Sequence, residues 1–353
     1  MIPVHLLRAL ERDLVPFTAY IELTRRCNWS CRHCFIHGES GFGGRELGTA
    51  EALDALVRLR ELGTLFLSIT GGEPTLRADL PAIVRRAREL EMAVMMMSNA
   101  SLIDEKMAAE LAGAGLYEVQ VSILGSNPET HDGLSGVKGS CEAAWRGVRA
   151  LKRSNVHVIV KTPLMRQNFD EVGAIHRQAS DLGLHHIFSP VLFPRHRDDR
   201  AIEEMRLDDG QMADAMRLWQ GLNEGQEPPE GVDAERPALR RPCKAGVTSM
   251  VVGATGEVLP CPGSHLSAGS IRSASLKTVW REAELFGRLR GIRVPDEYAL
   301  PGAKTAIQNF FCPILSHLET GDLARQSREA ERFNRILART VDEGPVREMD
   351  CGH

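Results

Sequence analysis

The sequence predicts an α/β fold, a partial (β/α)6 barrel followed by a smaller C-terminal α+β domain. Six short apolar runs alternate with amphipathic segments, which is typical of repeated βα units around a parallel sheet. Six units are fewer than the eight of a closed barrel, so we expect an open one. Residues 224–242 are rich in proline and charge, and the pattern changes after them. We therefore expect a barrel over residues 1–223, a linker over 224–242 and a second domain over 243–353.

The predicted strands are apolar runs of five to seven residues. A helical stretch such as "AEALDALVRLRELG" precedes each later strand. In this architecture, functional groups collect in the loops beyond the carboxyl ends of the strands. The strand candidates are "AYIELT" (19–24), "TLFLSIT" (64–70), "AVMMM" (93–97), "EVQVSI" (118–123), "VHVIVKT" (156–162) and "HHIFSPV" (185–191).

The second domain has a different pattern. The segments "TSMVV" and "EVL" flank "GATG", which predicts a β-hairpin. Two helical segments, "SLKTVWREAELFGRLRG" and "SREAERFNRILARTV", follow with a cysteine between them. A hairpin followed by helices predicts a small α+β unit.

Composition narrows the class of protein. With 43 basic and 47 acidic residues, the chain lacks the basic character of a nucleic-acid binder. No apolar run approaches the roughly 18 residues of a membrane span, and the N-terminus makes a poor signal peptide. We therefore expect a cytoplasmic protein without nucleic-acid or membrane partners. In a reducing compartment its eight cysteines are better read as metal ligands or buried thiols than as disulfides.

Three cysteines follow the first strand directly. Cys27, Cys31 and Cys34 are spaced so that one tight loop can turn all three sulfurs toward a common point. Three thiolates on a four-iron cluster leave one iron free to bind a substrate or cofactor. The alternatives are a zinc site with an open position and three unrelated buried thiols. Zinc loops usually combine two cysteine pairs, and the missing second pair favours the cluster.

A second motif follows the next strand. Gly71 and Gly72 allow the backbone to approach a ligand closely, and the carboxylate of Glu73 can accept a hydrogen bond from an ammonium group. Such residues, with Pro74, also make plain turns. Because this loop comes one βα unit after the cysteine loop, we expect the two loops to be neighbours.

With these two motifs the sequence resembles the radical S-adenosylmethionine (SAM) superfamily. The resemblance implies that the cysteine triplet holds a [4Fe-4S] cluster whose open iron chelates S-adenosylmethionine. One electron from an external donor then cleaves the cofactor, and the resulting 5′-deoxyadenosyl radical takes a hydrogen atom from the substrate. In that family the Gly-Gly-Glu-Pro segment contacts the methionyl ammonium group.

The resemblance also implies cofactor contacts at five further positions. His33 and Phe35 flank the third cysteine and would lie near the adenine, although a solvated loop histidine and a packing phenylalanine are equally ordinary. Ser98, Asn99 and Ser122 end the third and fourth strands and would face the ribose or carboxylate of the cofactor. For these three, a local turn or cap is the alternative.

The second domain resembles the SPASM or twitch extension of the same superfamily. In that extension a hairpin carries cysteines for an auxiliary iron–sulfur cluster, here Cys243 and Cys261. A full SPASM domain adds a dense cysteine run, whereas this chain offers Cys312 alone. We therefore expect one auxiliary cluster on these three cysteines, with its fourth position taken by Cys351, by another group or by substrate or water. The alternative is a degenerate domain without a cluster.

Three functions remain open at this point. The first is modification of a ribosomally made peptide, and the second is dehydrogenation or carbon-skeleton chemistry on a small metabolite. The third is a non-catalytic iron–sulfur electron carrier, which the sequence disfavours because a carrier needs neither an open iron nor a Gly-Gly-Glu loop. About twenty residues precede the first strand, so a peptide-modifying enzyme of this size needs a separate peptide-recognition protein or a substrate that docks on the barrel.

Overall fold

The computed structural model describes residues 3–36, 44–196, 199–222, 241–293 and 310–343. Residues 224–240 of the predicted linker and Cys351 lie outside the described residues, so these two predictions stay predictions. Within the described residues, no helix combines the length and the apolar character that crossing a membrane requires.

One nine-stranded sheet forms the centre of the molecule, in the order β6-β5-β4-β3-β2-β1-β7-β8-β9. The six predicted strands are all present and pair in parallel as neighbours in chain order, which makes an open sheet and confirms the partial barrel. The strands are β1 Thr18–Glu22, β2 Phe66–Thr70, β3 Ala93–Ser98, β4 Glu118–Ser122, β5 His157–Pro163, β6 His185–Ser189, β7 Ser249–Val252, β8 Glu257–Leu259 and β9 Gly269–Ser270.

Helices connect the parallel strands, because a parallel pair needs a long crossover. In α3 the buried residues Leu80, Ile83, Val84 and Ala87 fall at the spacing of one helical face. The helices are α1 Val4–Arg12, α2 Thr49–Glu61, α3 Leu80–Glu89, α4 Glu105–Gly113, α5 Pro128–Ser135, α6 Ser140–Arg153, α7 Val172–Asp181, α8 Arg200–Met205, α9 Asp209–Leu222, α10 Leu276–Glu282, α11 Glu284–Gly291, α12 Pro313–Thr320 and α13 Arg328–Glu343.

The predicted hairpin is formed by β7 and β8, which pair antiparallel. Strand β7 also pairs in parallel with β1, from Thr18 opposite Ser249 to Ile21 opposite Val252. The hairpin therefore extends the barrel sheet beyond β1 instead of forming a sheet of its own. This pairing places the β7–β8 turn, residues 253–256, at the same edge of the sheet as the loop after β1.

The C-terminal helices pack back onto the first part of the chain. The indole N–H of Trp280 in α10 donates a hydrogen bond of 2.7 Å to the carbonyl oxygen of Leu14. Leu337 of α13 belongs to a buried apolar cluster with Met212 and Met216 of α9. Because these contacts join distant parts of the sequence, the C-terminal helices hold the barrel and the hairpin together.

Candidate functional site

The cysteine loop leaves the carboxyl end of β1 and folds into a compact turn. The backbone N–H of Trp29 donates to the sulfur of Cys27 across 3.4 Å, and the N–H of Cys34 donates to the carbonyl oxygen of Cys31 across 3.1 Å. Burial raises the pKa of the Cys27 and Cys31 thiols, and the nearby Cys34 raises both further. The three thiols are therefore neighbours, as the sequence predicts.

This thiol set fits an iron–sulfur cluster. Among the described residues, no three His, Cys, Asp or Glu side chains converge as tightly as the ligands of a single metal ion do. A [4Fe-4S] cluster needs no such convergence, because each cysteine binds a different iron. Cluster binding requires thiolates, so it displaces the protons that burial otherwise keeps on Cys27 and Cys31.

The two glycines after β2 bring their loop against the cysteine loop. A Cβ at Gly71 would lie 2.4 Å from the carbonyl oxygen of Thr24, and one at Gly72 would lie 2.2 Å from that of Arg26. Both contacts are shorter than real Cβ atoms tolerate. The Gly72 and Glu73 N–H groups donate to these same oxygens across 2.7 and 2.9 Å. The two glycines therefore admit the neighbouring backbone, and their predicted approach to a ligand stays a prediction.

The carboxylate of Glu73 is completely buried and joins two loops. One oxygen accepts from the N–H and the hydroxyl of Thr75, at 3.0 and 2.6 Å, and from the hydroxyl of Ser98 at 2.8 Å. The other accepts from the N–H of Asn99 at 2.8 Å. Burial raises the pKa of Glu73, and these hydrogen bonds oppose the rise. Pro74 starts the short 3-10 turn that follows.

Asn99 connects the loop after β3 to the cysteine loop. Its amide nitrogen donates to the side-chain oxygen of Asn28 at 2.9 Å and lies 3.9 Å from the sulfur of Cys27. Its amide oxygen accepts from the N–H and the hydroxyl of Ser101. Asn28 in turn donates to the Ser101 hydroxyl at 2.8 Å. Sequence reasoning did not identify Asn28, although a polar side chain directly after the first cysteine is a usable signal.

Helix α5 also packs against the cysteine loop. The rings of Trp29 and His131 meet edge to face at 5.3 Å, and the N–H of Ser30 donates to the carbonyl oxygen of Ser135 at 2.9 Å. Burial lowers the pKa of His131 to about 4, so its ring stays neutral and bonds the Ser140 hydroxyl at 3.0 Å. Sequence reasoning missed His131, because nothing local links it to the cysteines.

The remaining predicted cofactor residues lie around the same edge of the sheet. The Nδ1 atom of His33 is buried without a hydrogen-bond partner, and burial lowers the pKa of this side chain to about 4. Phe35 lies 6.3 Å from Phe193, measured between ring centroids. Ser122 ends β4 and pairs in register with Lys161 of β5. Contacts of these residues with adenine, ribose or carboxylate stay predictions.

The three cysteines of the second domain also come together. Burial raises the pKa of the Cys261 thiol, and the neighbouring Cys312 and Cys243 raise it further. Burial raises the pKa of Cys312 to about 11. Cys312 also caps α12, where its sulfur accepts from the N–H of Leu315 at 3.5 Å. Three neighbouring thiols from distant segments fit a second iron–sulfur cluster.

Comparison with protein families agrees with this arrangement. The model of the radical SAM superfamily matches residues 21–200, and the SPASM model, an iron–sulfur cluster-binding domain, matches residues 243–300. An AdoMet-dependent heme synthase from Oleidesulfovibrio alaskensis is 29% identical over 302 residues, which span 78% of this chain and 76% of the relative. A PqqA peptide cyclase from Rhodopseudomonas palustris is 29% identical over 290 residues, which span 78% of this chain and 76% of the relative.

Solved structures share the fold. Streptococcus suis SuiB bound to S-adenosylmethionine superposes with a TM-score of 0.68 at 18% identity, over 92% of this chain and 80% of SuiB. Native anSMEcpe with bound AdoMet gives a TM-score of 0.72 at 15% identity, over 93% of this chain and 100% of that one. The superfamily model covers more than half of the chain. The chain therefore belongs to the radical SAM superfamily and has a C-terminal SPASM domain, which is an iron–sulfur cluster-binding domain. It is an enzyme whose cofactors are a [4Fe-4S] cluster and S-adenosylmethionine.

Proposed function

We propose that this enzyme modifies a ribosomally made peptide, using one electron from an external donor to cleave S-adenosylmethionine. The observation that carries the radical chemistry is the docking of the Gly-Gly-Glu loop against the three-cysteine loop through Gly71 and Gly72. When bound, the cluster and S-adenosylmethionine supply a 5′-deoxyadenosyl radical that takes a hydrogen atom from the substrate. Family membership as an enzyme sets aside the electron-carrier alternative.

The proposed roles of individual residues follow from the contacts. Cys27, Cys31 and Cys34 hold the cluster, and the buried Glu73 fixes the loop that lies beside it. Asn99 holds the sulfur of Cys27 through its amide, so it orients the cluster loop in addition to any cofactor contact.

At the rim of the site, His33 and Phe35 bound the space next to the third cysteine, where we propose the adenine binds. Ser122 stands opposite Lys161 at the carboxyl end of the sheet, where the ribose or carboxylate binds in this proposal. In the second domain, Cys243, Cys261 and Cys312 hold the auxiliary cluster.

The peptide assignment is supported by the relatives named PqqA peptide cyclase, which match along most of their length. Such a substrate binds either through a separate recognition protein or directly on the open side of the barrel. The open sheet leaves room for direct docking, since its edge strands β6 and β9 do not close on each other.

A second candidate substrate is a tetrapyrrole, a small metabolite. Relatives named AdoMet-dependent heme synthase match with the same identity as the peptide cyclases, and a relative named Fe-coproporphyrin III synthase is 35% identical over 174 residues. This candidate places the enzyme among the radical enzymes that act on small molecules.

Deuterium transfer separates the two candidates. Anaerobically reconstituted enzyme is incubated with S-adenosylmethionine, dithionite and either deuterated iron coproporphyrin or the small-peptide fraction of source cells grown on deuterated amino acids. We expect deuterium in 5′-deoxyadenosine from the peptide fraction. Deuterium from the porphyrin alone would establish the second candidate. Active cofactor cleavage with no deuterium from either source would overturn both.

A further inference from the structure

Strands β5 and β6 have one face covered by helices and one face open. Helices α6 and α7 pack on the covered face, where Val158 and Val160 are buried. Between them in β5, Ile159 and Lys161 are only partly buried, and Ile187 of β6 is 41% exposed. Side chains alternate between the two faces of a strand, and the helices of a βα barrel lie on its outside. The open face therefore lines the inside of the partial barrel, and solvent reaches it.

Lys161 places an ammonium group on this open face. In the register of the sheet it stands between Ser122 of β4 and Ile187 of β6. Its Nζ atom donates to the side-chain oxygen of Gln120 across 3.4 Å. No carboxylate in the part of the chain that the structure describes forms an ion pair with it. Burial lowers the pKa of Lys161, as expected for an ammonium group that loses water and gains no opposite charge.

Gln120 separates this ammonium group from the carboxylate in the same row. The side-chain nitrogen of Gln120 donates to Glu118 at 3.2 Å, and Glu118 is also bonded to Nδ1 of His157 at 3.1 Å. Gln120 thus turns its oxygen toward Lys161 and its nitrogen toward Glu118. Because Gln120 comes two residues before Ser122, the end of β4, Lys161 is bonded to a residue farther from the cysteine loops than Ser122 is. The ammonium group is therefore oriented inside the barrel and has no anionic partner there.

We propose that Lys161, oriented by Gln120, binds a carboxylate group of the substrate inside the barrel. The role of the ligand as substrate rests on the proposed function. A carboxylate supplies the negative charge and the acceptor atoms that Lys161 lacks, in a charge-assisted hydrogen bond. The apolar part of the substrate then lies on Ile159 and Ile187, beside Lys161 on the open face. An acidic side chain or the carboxyl terminus of a peptide has this chemistry, and so do the carboxylates of a porphyrin.

Fragments test the charge preference without a known substrate. Holoenzyme saturated with S-adenosylmethionine is titrated anaerobically with 4-fluorobenzoate, 4-fluorobenzamide and 4-fluorobenzylamine, and binding is followed by fluorine NMR. The three probes share one ring, and saturation with the cofactor keeps the benzoate from the open iron. We expect the benzoate to bind about tenfold more tightly than the benzamide, since the amide loses a charge-assisted hydrogen bond, and the amine to bind weakest. Equal binding of benzoate and benzamide would overturn the proposal without any variant.

Lys161→Met shows whether the benzoate binds at this ammonium group. Methionine keeps an unbranched side chain without the charge, so benzoate affinity should fall about tenfold and benzamide affinity should stay unchanged. Lys106→Met is the matched control, because Lys106 is an exposed lysine on the outer helix α4, and it should bind benzoate as the unaltered enzyme does. Iron content and thermal unfolding report whether each variant folds. Undiminished benzoate binding to folded Lys161→Met would overturn the proposal. Reduced affinity of that variant for S-adenosylmethionine would also overturn it, because Lys161 would then serve the cofactor.

Two matched pairs of larger ligands identify the source of the carboxylate. One pair is a capped Ala-Glu-Ala peptide and its Ala-Gln-Ala analogue, and the other is iron coproporphyrin and its tetramethyl ester. We expect the peptide acid to bind more tightly than its amide, and the preference to disappear in Lys161→Met. The same result with the porphyrin pair alone would keep the role of Lys161 and contradict the peptide assignment. A preference that depends on Lys161 in neither pair would overturn the role in substrate binding. Because these measurements need no turnover, failure to modify peptides would contradict the proposed function and not the role of Lys161.

Discussion

Ser98 donates a hydrogen bond of 2.8 Å to the buried carboxylate of Glu73. Glu73 lies in the loop after β2 and Ser98 is the last residue of β3, so this bond ties that loop to the end of the neighbouring strand. Glu73 is thus an organising group of the site before any ligand arrives. A change at Glu73 should therefore affect the loops as well as the predicted contact with the cofactor.

We predict that Glu73→Gln destabilises the protein as well as weakening cofactor binding. Glutamine keeps one acceptor oxygen, but its NH₂ group would face an N–H donor of Thr75 or Asn99 in a buried site. An unsatisfied buried donor costs about 1–3 kcal/mol. Chemical denaturation and S-adenosylmethionine titration measure the two effects. Reduced cofactor affinity with wild-type stability would show that the hydrogen bonds to Glu73 are not important for the fold.

Gly72→Ala should disrupt the site, because its Cβ would lie 2.2 Å from the backbone oxygen of Arg26. Backbone cannot move aside as a flexible side chain does, so the two loops must separate. Gly113→Ala is the matched control: it lies in α4 with nothing within 4 Å of its Cβ, and should be neutral or stabilise by about 0.5–1 kcal/mol. Iron content and cofactor cleavage are compared. Equal activity in both variants would contradict the close packing of the loops.

His131→Ala should release the cysteine loop from α5. The variant loses the buried ring that contacts Trp29, and we expect about 2–4 kcal/mol less stability and faster iron loss to a chelator. His157→Ala serves as the control, since that side chain is 45% exposed and lies on β5. Iron loss at the same rate from both variants would mean that α5 does not hold the loop.

The sequence predicts the strands well because their signal is local. Apolar runs marked all six parallel strands, and β6 ends earlier than predicted, at Ser189, because Pro190 has no N–H to continue the ladder. The contacts that shape the site are not local. Asn28 bonds Asn99 across 71 residues, and such pairings follow from the fold and not from spacing.

Interpretations from residue type were also incomplete. Gly72 lies against the backbone of Arg26, a contact that sequence reasoning did not identify, and its contact with a ligand stays a prediction. The sequence identifies Glu22 only as a strand residue, because its burial and its proximity to Glu257 depend on the pairing of β1 with β7. The auxiliary cysteines could be listed from spacing, whereas their proximity needed three distant segments to meet.

Glu22 should make stability depend on pH. Burial, with help from Glu257, raises its pKa from 4.5 to about 7, so the folded protein holds a proton that the unfolded chain has already released. This contribution is fully present below pH 4.5 and is lost as the pH rises through 7. The stability of wild type relative to Glu22→Gln should fall by about 2 kcal/mol between roughly pH 5.5 and 8.5. Denaturation curves at several pH values test this, and a difference that stays constant or grows with pH would contradict it.

Removal of the auxiliary thiols should show how much of the iron belongs to each of the two clusters. Cys243, Cys261 and Cys312 interact as neighbours at the edge of the sheet, while the triplet after β1 belongs to another loop. Changing these three to Ala should lower the iron content from about eight to about four per chain and leave uncoupled cleavage of S-adenosylmethionine active. Deleting residues 345–353 from the otherwise unaltered enzyme tests Cys351 in the same assay: unchanged iron means that three cysteines suffice, and loss of about four irons makes Cys351 a ligand. Full iron content in the triple variant would show that the second domain holds no cluster on these residues.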